Sequence, residues 1–177
     1  MSTDDEARPA ARLTVLAGPS GSGTGRVVEL VRARSPSVWT PIPATTRPRR
    51  DAEVDGVDRV FLAPAEFDRQ VAAGELLEWS WIGPHRRGTP YLPLRARLDS
   101  GQPALLPLDL PGARLVRARL PDTRLVLLSP PGHRPDPALA AVVDHILTHD
   151  RTDRVVEELV GLLGSSYPDP AWSRVRG

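Results

Sequence analysis

The sequence predicts an α/β fold in which a largely parallel sheet carries helices on both faces. Short apolar runs alternate with stretches of helical periodicity along most of the 177 residues. The first apolar run, residues 12–17, leads into a glycine-rich turn at 18–25 and then into apolar positions at helical spacing over 26–34. Hydrophobic residues make up 40% of the chain, which is enough for one core of ordinary size.

The remaining elements follow from the same alternation. Further strands are predicted where apolar runs are bounded by turn residues, at residues 38–44, 59–63, 76–82, 104–108, 124–129 and 146–147. Further helices are predicted from start and stop signals, at residues 64–73, 92–98, 112–119, 138–143 and 152–163. The polar stretch 45–58 is rich in Arg, Pro and Asp and indicates a binding loop. We expect one domain over residues 12–164 between a flexible N-terminal tail, 1–11, and a loose C-terminal tail, 165–177.

The charge of the chain argues against a nucleic-acid partner. The formal net charge is +1, whereas nucleic-acid binding usually demands a large basic excess. The sequence contains no lysine, so all 23 basic residues are arginine. There is no apolar run of membrane-spanning length, and the acidic, polar N-terminus does not resemble a signal peptide. We therefore expect a cytoplasmic protein that does not associate with a membrane.

No metal site is predicted from the sequence. The chain has no cysteine, which excludes disulfides, thiolate metal sites and cysteine nucleophiles. Among the four histidines, only His145 and His149 have a spacing that could hold a metal on a helix. We expect a strand at this position, so these two side chains are interpreted as solvent-facing or packed.

The glycine-rich turn matches the phosphate-loop pattern G-x-x-x-x-G-K-[ST] only in its backbone. Its residues include Gly18, Ser20, Gly21, Ser22, Gly23, Thr24 and Gly25. In the pattern a lysine contacts the outer phosphates and a hydroxyl holds magnesium. Here Thr24 stands at the lysine position and Gly25 at the hydroxyl position, while Arg26 follows in a different helical register. The loop is therefore either a degenerate phosphate loop or only a glycine-rich turn.

The segment that follows the first predicted helix and strand closely matches the signature of a known family. Residues 45–56, TTRPRRDAEVDG, closely resemble the guanylate kinase signature T-T-R-x-x-R-x-x-E-x-[DN]-G. Further segments of that family are matched in the same order by ELLEW at 75–79, GT at 88–89, LDLPG at 108–112 and PP at 130–131. The resemblance runs from about Leu13 to Pro131. It implies a three-layer sandwich of the P-loop NTPase type with a GMP-binding subdomain at about 43–91.

The resemblance also implies a guanine-nucleotide site. Its residues would be Arg47, Arg50, Glu53, Arg59, Glu78, Arg87, Gly88, Thr89 and Asp109. By analogy with the family, two arginines grip the GMP phosphate and Glu53 braces their loop. Glu78 and Thr89 read the guanine edge, and Asp109 lies near the guanine and magnesium side.

The departures from the family are equally specific. Arg59 and Arg87 stand where the family has tyrosines that help to hold the phosphate, and Pro43 and Pro107 replace a serine and an aspartate. The family also has an arginine-bearing lid that closes over ATP. Here this lid is largely missing, and Arg134 is its single arginine.

Three functions remain open from the sequence. The first is a catalytically impaired protein that binds GMP or a more phosphorylated guanosine. The second is a phospho-ligand or protein-interaction module of the guanylate kinase type, with a protein partner. The third is a residual nucleoside-monophosphate kinase acting on ATP and GMP, with Asp109 and Arg26 in catalytic roles. No resident cofactor is expected, and magnesium is expected only with a bound nucleotide di- or triphosphate.

Overall fold

The computed structural model describes residues 12–19 and 21–164. The predicted tails, 1–11 and 165–177, and Ser20 of the glycine loop lie outside the described residues. The elements in chain order are β1 (Leu13–Ala17), α1 (Thr24–Arg34), β2 (Ala44–Thr45), β3 (Val60–Phe61), α2 (Pro64–Ala72), β4 (Leu76–Ile82), β5 (His85–Pro90), α3 (Tyr91–Asp99), β6 (Ala104–Leu108), α4 (Leu110–Arg119), β7 (Arg124–Ser129), α5 (Pro137–Ala140), β8 (His145–Thr148) and α6 (Thr152–Gly164).

The strands form two sheets of four. The first has the order β6-β1-β7-β8, and all its neighbours run parallel. The second has the order β3-β2-β5-β4, in which β5 runs antiparallel to both of its neighbours. The predicted α/β class with a largely parallel sheet is confirmed, because the first sheet is the one around which the helices pack.

Helices cover both faces of the parallel sheet, which gives a three-layer sandwich. Alternate side chains of a strand point to opposite faces, and both faces of β1 are buried. Leu16 belongs to a core cluster with residues of α1 and α6. Val15 belongs to the cluster on the other face, with residues of α3 and α4. The glycine loop therefore follows directly on a strand that is buried on both faces.

Two strand predictions need correction. The strand predicted at 38–44 is reduced to an isolated bridge between Trp39 and Ala104 and to the two residues of β2. Pro41 and Pro43 interrupt it, since proline has no N–H to donate to a sheet. The strand predicted at 59–63 is likewise shortened, to Val60–Phe61.

One strand was missed altogether. Residues 85–90, HRRGTP, form β5, the strand that joins β2 to β4. Its sequence has no apolar alternation because its inward positions are filled by arginine, glycine and threonine. It pairs with the adjacent β4 in a hairpin and with the distant β2, and the alternation of its own side chains did not reveal this pairing.

The connection between β7 and β8 is short. Residues 130–144 contain only the four-residue helix α5, which is shorter than the predicted helix at 138–143. Arg134 is the one arginine of this connection. Within the described ranges, no helix combines the length and the apolar character needed to cross a membrane.

Candidate functional site

A cleft of about 1410 Å³ opens between the glycine loop and the second sheet. Gly18, Thr24 and Gly25 line it on the side of the loop. On the opposite side it is lined by side chains of the second sheet and its loops, which include Arg47, Arg59, Glu78 and Arg87. Small-molecule pockets usually measure about 300–1,000 Å³. The cleft therefore has room for a ligand of nucleotide size.

One of the side chains that line the cleft, the carboxylate of Glu78, is held by a buried hydroxyl. Glu78 of β4 is 6% exposed and Thr89 of β5 is fully buried. The Thr89 hydroxyl donates a hydrogen bond of 2.6 Å to Glu78 Oε1. Burial raises the pKa of Glu78, while the Thr89 hydrogen bond and the charge of Arg87 act in the opposite direction. The pair is a fixed polar group whose second carboxylate oxygen, Oε2, is left to recognise a ligand.

Asp109 lies beside this pair. It is the N-cap of α4, and its Oδ1 accepts a hydrogen bond of 2.8 Å from the Gly112 amide. A Cβ added to Gly112 would lie 3.7 Å from Glu78 Oε2, which places the start of α4 against the Glu78 carboxylate. The charge of Asp109 raises the pKa of Glu78 further, after burial, the main cause. Asp109 therefore has a structural role as a cap and an electrostatic effect on Glu78.

Gly88, one of the predicted binding residues, packs closely against β4. A Cβ at this position would come within 2.9 Å of Leu76 Cδ1 and 3.0 Å of the Glu78 carbonyl oxygen. In the antiparallel ladder Gly88 lies opposite Trp79 of β4. The missing side chain thus lets β4 and β5 approach closely, which sets the position of Glu78 relative to Thr89.

Arg47 is held by Glu53 in a two-pronged ion pair. Arg47 Nη1 donates to Glu53 Oε2 at 2.8 Å, and Arg47 Nη2 donates to Glu53 Oε1. Glu53 also accepts a hydrogen bond of 3.0 Å from the Arg50 amide. The Arg47 hydrogen bond, followed by that of Arg50, lowers the pKa of Glu53 to about 2. Glu53 therefore ties the Arg47 side chain to the backbone of Arg50 within one loop.

Two further arginines stand next to this loop. Arg59 Nε lies 3.7 Å from Glu53 Oε1. Burial lowers the pKa of Arg59, and the positive charges of Arg47, Arg87 and Arg50 lower it further. Arg47, Arg50, Arg59 and Arg87 are hereafter called the arginine cluster. Three of its members, Arg47, Arg59 and Arg87, line the cleft, together with the carboxylates of Asp58, Glu78 and Asp109.

The glycine loop has the backbone geometry of an anion-binding turn. Gly23 caps α1 in the left-handed conformation, with φ 85°, and Gly21 is also left-handed, with φ 80°. The first amides of α1 follow directly, and amides at a helix start have no partner within the helix. Ser22 donates its own amide to the Pro19 carbonyl at 3.0 Å. The loop therefore retains the backbone part of the phosphate-loop pattern.

The side-chain part of the pattern does not fit a resident magnesium ion. Gly25 has no hydroxyl to offer, and Asp109 uses one oxygen as a helix cap. Among residues 12–19 and 21–164, no group of three or more His, Asp or Glu side chains could hold a metal. Arg26 Nη1 lies 3.4 Å from Glu29 Oε2 in an exposed pair along the surface of α1. The side chains at these positions therefore do not form a magnesium site, and Arg26 is engaged in an ion pair along α1.

His149 is a residue at the loop that sequence reasoning did not assign to the site. Its Nδ1 lies 2.9 Å from the Ser22 carbonyl oxygen, and its Nε2 lies 3.1 Å from Thr152 Oγ1. Its ring also packs on Gly23, where an added Cβ would meet His149 Cε1 at 3.0 Å. The sequence analysis left two possibilities for this side chain, solvent-facing or packed, and the structure shows the packed one. No local pattern could reveal its partner, which lies 127 residues away in the chain.

Comparison with known proteins gives a consistent relationship. The guanylate kinase family profile matches residues 10–136. The chain is 55% identical over 120 residues to a guanylate kinase of Thermobifida fusca (strain YX), a match that covers 68% of this chain and 61% of that protein. It is 36% identical over 186 residues to a guanylate kinase of Gloeobacter violaceus, and that match covers 91% of each.

The structure resembles the crystal structure of guanylate kinase from Anaplasma phagocytophilum, with a TM-score of 0.69 and 20% identity over 90% of this chain and 88% of that one. At this identity the likeness supports the fold. In three of the sequence relatives the match covers 61%, 63% and 65% of the relative's length. The chain thus spans less than two thirds of those proteins.

Proposed function

The chain belongs to the guanylate kinase family, and from this premise we propose that it is a catalytically impaired member that binds a guanine nucleotide. The ligand would be GMP or a more phosphorylated guanosine. The observation that carries the proposal is Glu78, which is held by Thr89 and lines the same cleft as Arg47, Arg59 and Arg87. The cleft thus offers a carboxylate for a base and guanidinium groups for a phosphate.

Base selectivity follows from hydrogen-bond chemistry. Guanine presents two neighbouring donors, N1–H and the exocyclic amine, on one edge, and an ionised carboxylate accepts from both. Adenine cannot offer this pair of donors. Because Thr89 fixes Oε1 of Glu78, the carboxylate is oriented before a ligand arrives. Little side-chain entropy is then lost on binding.

Phosphate binding follows from the arginines. A guanidinium group has a planar fork of donors that matches phosphate oxygens in two-pronged contacts. Glu53 already engages Arg47 through both terminal nitrogens, so a phosphate at Arg47 would use its remaining donors or displace the carboxylate. We expect the nucleotide phosphate to contact the guanidinium groups that remain accessible in the cleft.

Impaired phosphoryl transfer follows from the missing charged groups. The reaction depends on positioning and on neutralising charge, for which the phosphate-loop pattern supplies a lysine and a magnesium-holding hydroxyl. This chain has Thr24 and Gly25 at those positions and no lysine elsewhere. Removal of one such stabilising group typically costs about 10²–10³ in rate. The short connection 130–144, with Arg134 alone, adds little compensation.

The test is calorimetric titration with GMP, GDP, GTP, AMP and ATP, in the absence of magnesium and again in its presence. We expect guanine nucleotides to bind and adenine nucleotides to give no signal. Glu78→Gln should weaken GMP binding at least about tenfold, because the amide replaces one acceptor with a donor. Glu157→Gln, on the exposed surface of α6, is the matched control.

Selective binding that survives Glu78→Gln would refute the proposed base recognition. Absence of binding to every nucleotide would favour a phospho-ligand or protein-interaction module.

A residual kinase is the second candidate. Relatives of 55% and 50% identity are named guanylate kinase, and the cleft is lined by the glycine loop and the arginine cluster together. The test is ADP release from ATP with GMP and magnesium at high protein concentration. Turnover above the blank that disappears in Arg47→Gln would support this function, whereas turnover indistinguishable from the blank would exclude it.

A further inference from the structure

Arg86 is a nearly buried arginine of β5 whose charged end lies against α2. The residue is 9% exposed. Its guanidinium group donates to the carboxylate of Asp68 and, at 3.0 Å, to the carbonyl oxygen of Pro64, and both partners belong to α2. Successive side chains of a strand lie on opposite faces, so Arg86 and its neighbour Arg87 diverge. Arg86 is among the residues that line the cleft, but its hydrogen bonds are made to a helix.

Two aromatic rings complete the contacts of this guanidinium group. Arg86 Cζ lies 4.7 Å from the centre of the Phe67 ring and 5.3 Å from that of a Trp81 ring, within the range of a cation–π contact. Phe67 is fully buried, whereas Trp81 is 62% exposed and lies opposite Arg86 in the β4–β5 ladder. The contact with Arg86 accounts for an aromatic side chain at this exposed position. Arg86, Phe67, Asp68 and Trp81 are hereafter called the Arg86 clamp.

The backbone of Arg86 holds the start of the loop that carries Arg47. The Arg86 amide donates to Thr46 Oγ1 at 2.9 Å. The Arg86 carbonyl oxygen accepts from the Thr46 amide at 3.0 Å and from Thr45 Oγ1 at 2.9 Å. Thr45 Oγ1 in turn accepts from the Arg47 amide at 3.3 Å. A continuous set of contacts thus runs from α2 through Arg86 to the backbone of Arg47.

An arginine is a costly way to fill this space. Desolvation offsets much of the attraction in a buried ion pair, and apolar side chains of similar volume often give equal or greater stability. An arginine differs from an apolar side chain in orientation, because its planar fork of donors accepts only a few geometries. The partners of Arg86 lie on α2 and its ring contacts come from α2 and β4. The side chain therefore fixes where β5 lies relative to α2.

We infer, on the basis of the proposed function, that Arg86 is a positioning residue for phosphate binding. The Arg86 clamp fixes β5 against α2, and the backbone of Arg86 then fixes Thr45 and Thr46, which set the position of Arg47. The clamp acts through Arg47 and does not touch the ligand. No residue of α2 is among the described residues that line the cleft. Phosphate recognition thus depends on a helix outside the site.

The experiment measures the affinities of GMP and guanosine by calorimetry in Asp68→Asn, in Arg86→Met and in the double variant. The Asp68 side chain is 65% exposed, so Asp68→Asn loosens the clamp without emptying the core, and it decides the question if Arg86→Met does not fold. We expect GMP affinity to fall about fivefold in Asp68→Asn and about tenfold or more in Arg86→Met. Guanosine affinity should stay within about twofold, since guanosine has no phosphate. The double variant should equal Arg86→Met, because both substitutions remove one contact.

The matched controls are Arg95→Met and Asp99→Asn, which come from an exposed ion pair on α3 and should leave both affinities unchanged. The sign of the Asp68→Asn effect tests the competing explanation that Arg86 binds the phosphate itself. In that case the substitution would free a donor for the ligand, and GMP would bind as tightly as before or more tightly. That result, or equal losses for GMP and guanosine, would overturn the inference while the proposed function stands.

Hydrogen exchange in the ligand-free protein separates the inference from the proposed function. The amides of Thr46 and Arg47 donate to Arg86 and Thr45. In Asp68→Asn we expect them to exchange about fivefold or more faster, with unchanged exchange in β1. Faster exchange in a chain that binds no guanine nucleotide would refute the proposed function, while the link from α2 to Arg47 would stand. Unchanged exchange at both amides would overturn the inference even if GMP binds.

Discussion

Glu78 combines two properties that oppose each other in the free protein. Burial favours its neutral form and raises its pKa. Recognition of guanine requires the ionised form, because only that form accepts hydrogen bonds at both oxygens. A bound guanine supplies two donors to the carboxylate, which favours ionisation. Under the proposed function, ligand binding and deprotonation of Glu78 are therefore coupled.

This coupling predicts a pH dependence of affinity. As the pH falls through the raised pKa of Glu78, GMP should bind progressively more weakly, and binding in this range should release protons. Calorimetry in buffers of different ionisation enthalpy measures both quantities. The nucleotide phosphate titrates as well, so the informative quantity is the difference between the natural chain and Glu78→Gln. Identical pH profiles for the two proteins would contradict the prediction.

At the scale of elements, β4 and β5 can pack closely because Gly88 has no side chain. Gly88→Ala would place a methyl group 3.0 Å from the Glu78 carbonyl oxygen and 2.9 Å from Leu76 Cδ1. We expect a loss of about 1–3 kcal/mol in the free energy of unfolding, as for other overpacked sites. Thermal or urea unfolding measures it, with Gly25→Ala as the control, because an added Cβ there meets nothing within 4 Å. Equal stabilities of the two variants would contradict the packing role of Gly88.

The same strands illustrate what the sequence could and could not predict. β1, β6 and β7 are buried apolar runs, so periodicity located them almost to the residue. β5 carries polar and charged residues and is fixed by cross-strand pairing, which no local pattern encodes. The motif at Glu78 and Thr89 identified the pair as a candidate site. The hydrogen bond between them required the register of the β4–β5 hairpin.

The junction of β8 and α6 supports the glycine loop through His149. The imidazole contacts the Ser22 carbonyl through one nitrogen and Thr152 Oγ1 through the other. His149→Ala should destabilise the protein by about 1 kcal/mol, typical of a lost hydrogen bond. It should also increase hydrogen exchange of the amides from Ser22 to Gly25. His145→Ala, at an exposed position of β8, should change neither quantity. Unchanged exchange in His149→Ala would show that the loop holds its shape without the imidazole.

At the scale of the whole molecule, the two sheets carry different parts of the candidate site. The parallel sheet carries the glycine loop on β1, and the second sheet carries Glu78, Thr89 and Arg87 on the β4–β5 hairpin at its edge. The alternation of strands and helices predicted the first sheet. In the second sheet, β2 and β3 have only two residues each and are connected by the polar loop 45–58. Strands this short show no periodicity, so the sequence did not predict this sheet. The cleft between them arises only from the assembled fold.

This division predicts that the loop can be restored independently of the guanine site. In Thr24→Lys with Gly25→Ser, the new hydroxyl has room, since nothing lies within 4 Å of a Cβ at position 25. The lysine and hydroxyl complete the phosphate-loop pattern. ATP with magnesium should then bind at least about tenfold more tightly, as a charge-assisted contact is worth about 1.5–3 kcal/mol.

The matched control is Thr24→Gln with Gly25→Ser, in which glutamine supplies a long side chain without the positive charge of lysine. GMP affinity should be unchanged in both variants, because Glu78 and the arginine cluster lie on the other sheet. Turnover should remain low in the restored variant, since the connection 130–144 still offers only Arg134 to the transferred phosphoryl group. If ATP affinity does not rise while GMP still binds, the loop backbone is no longer a phosphate cradle, and the glycines serve only as a turn between β1 and α1.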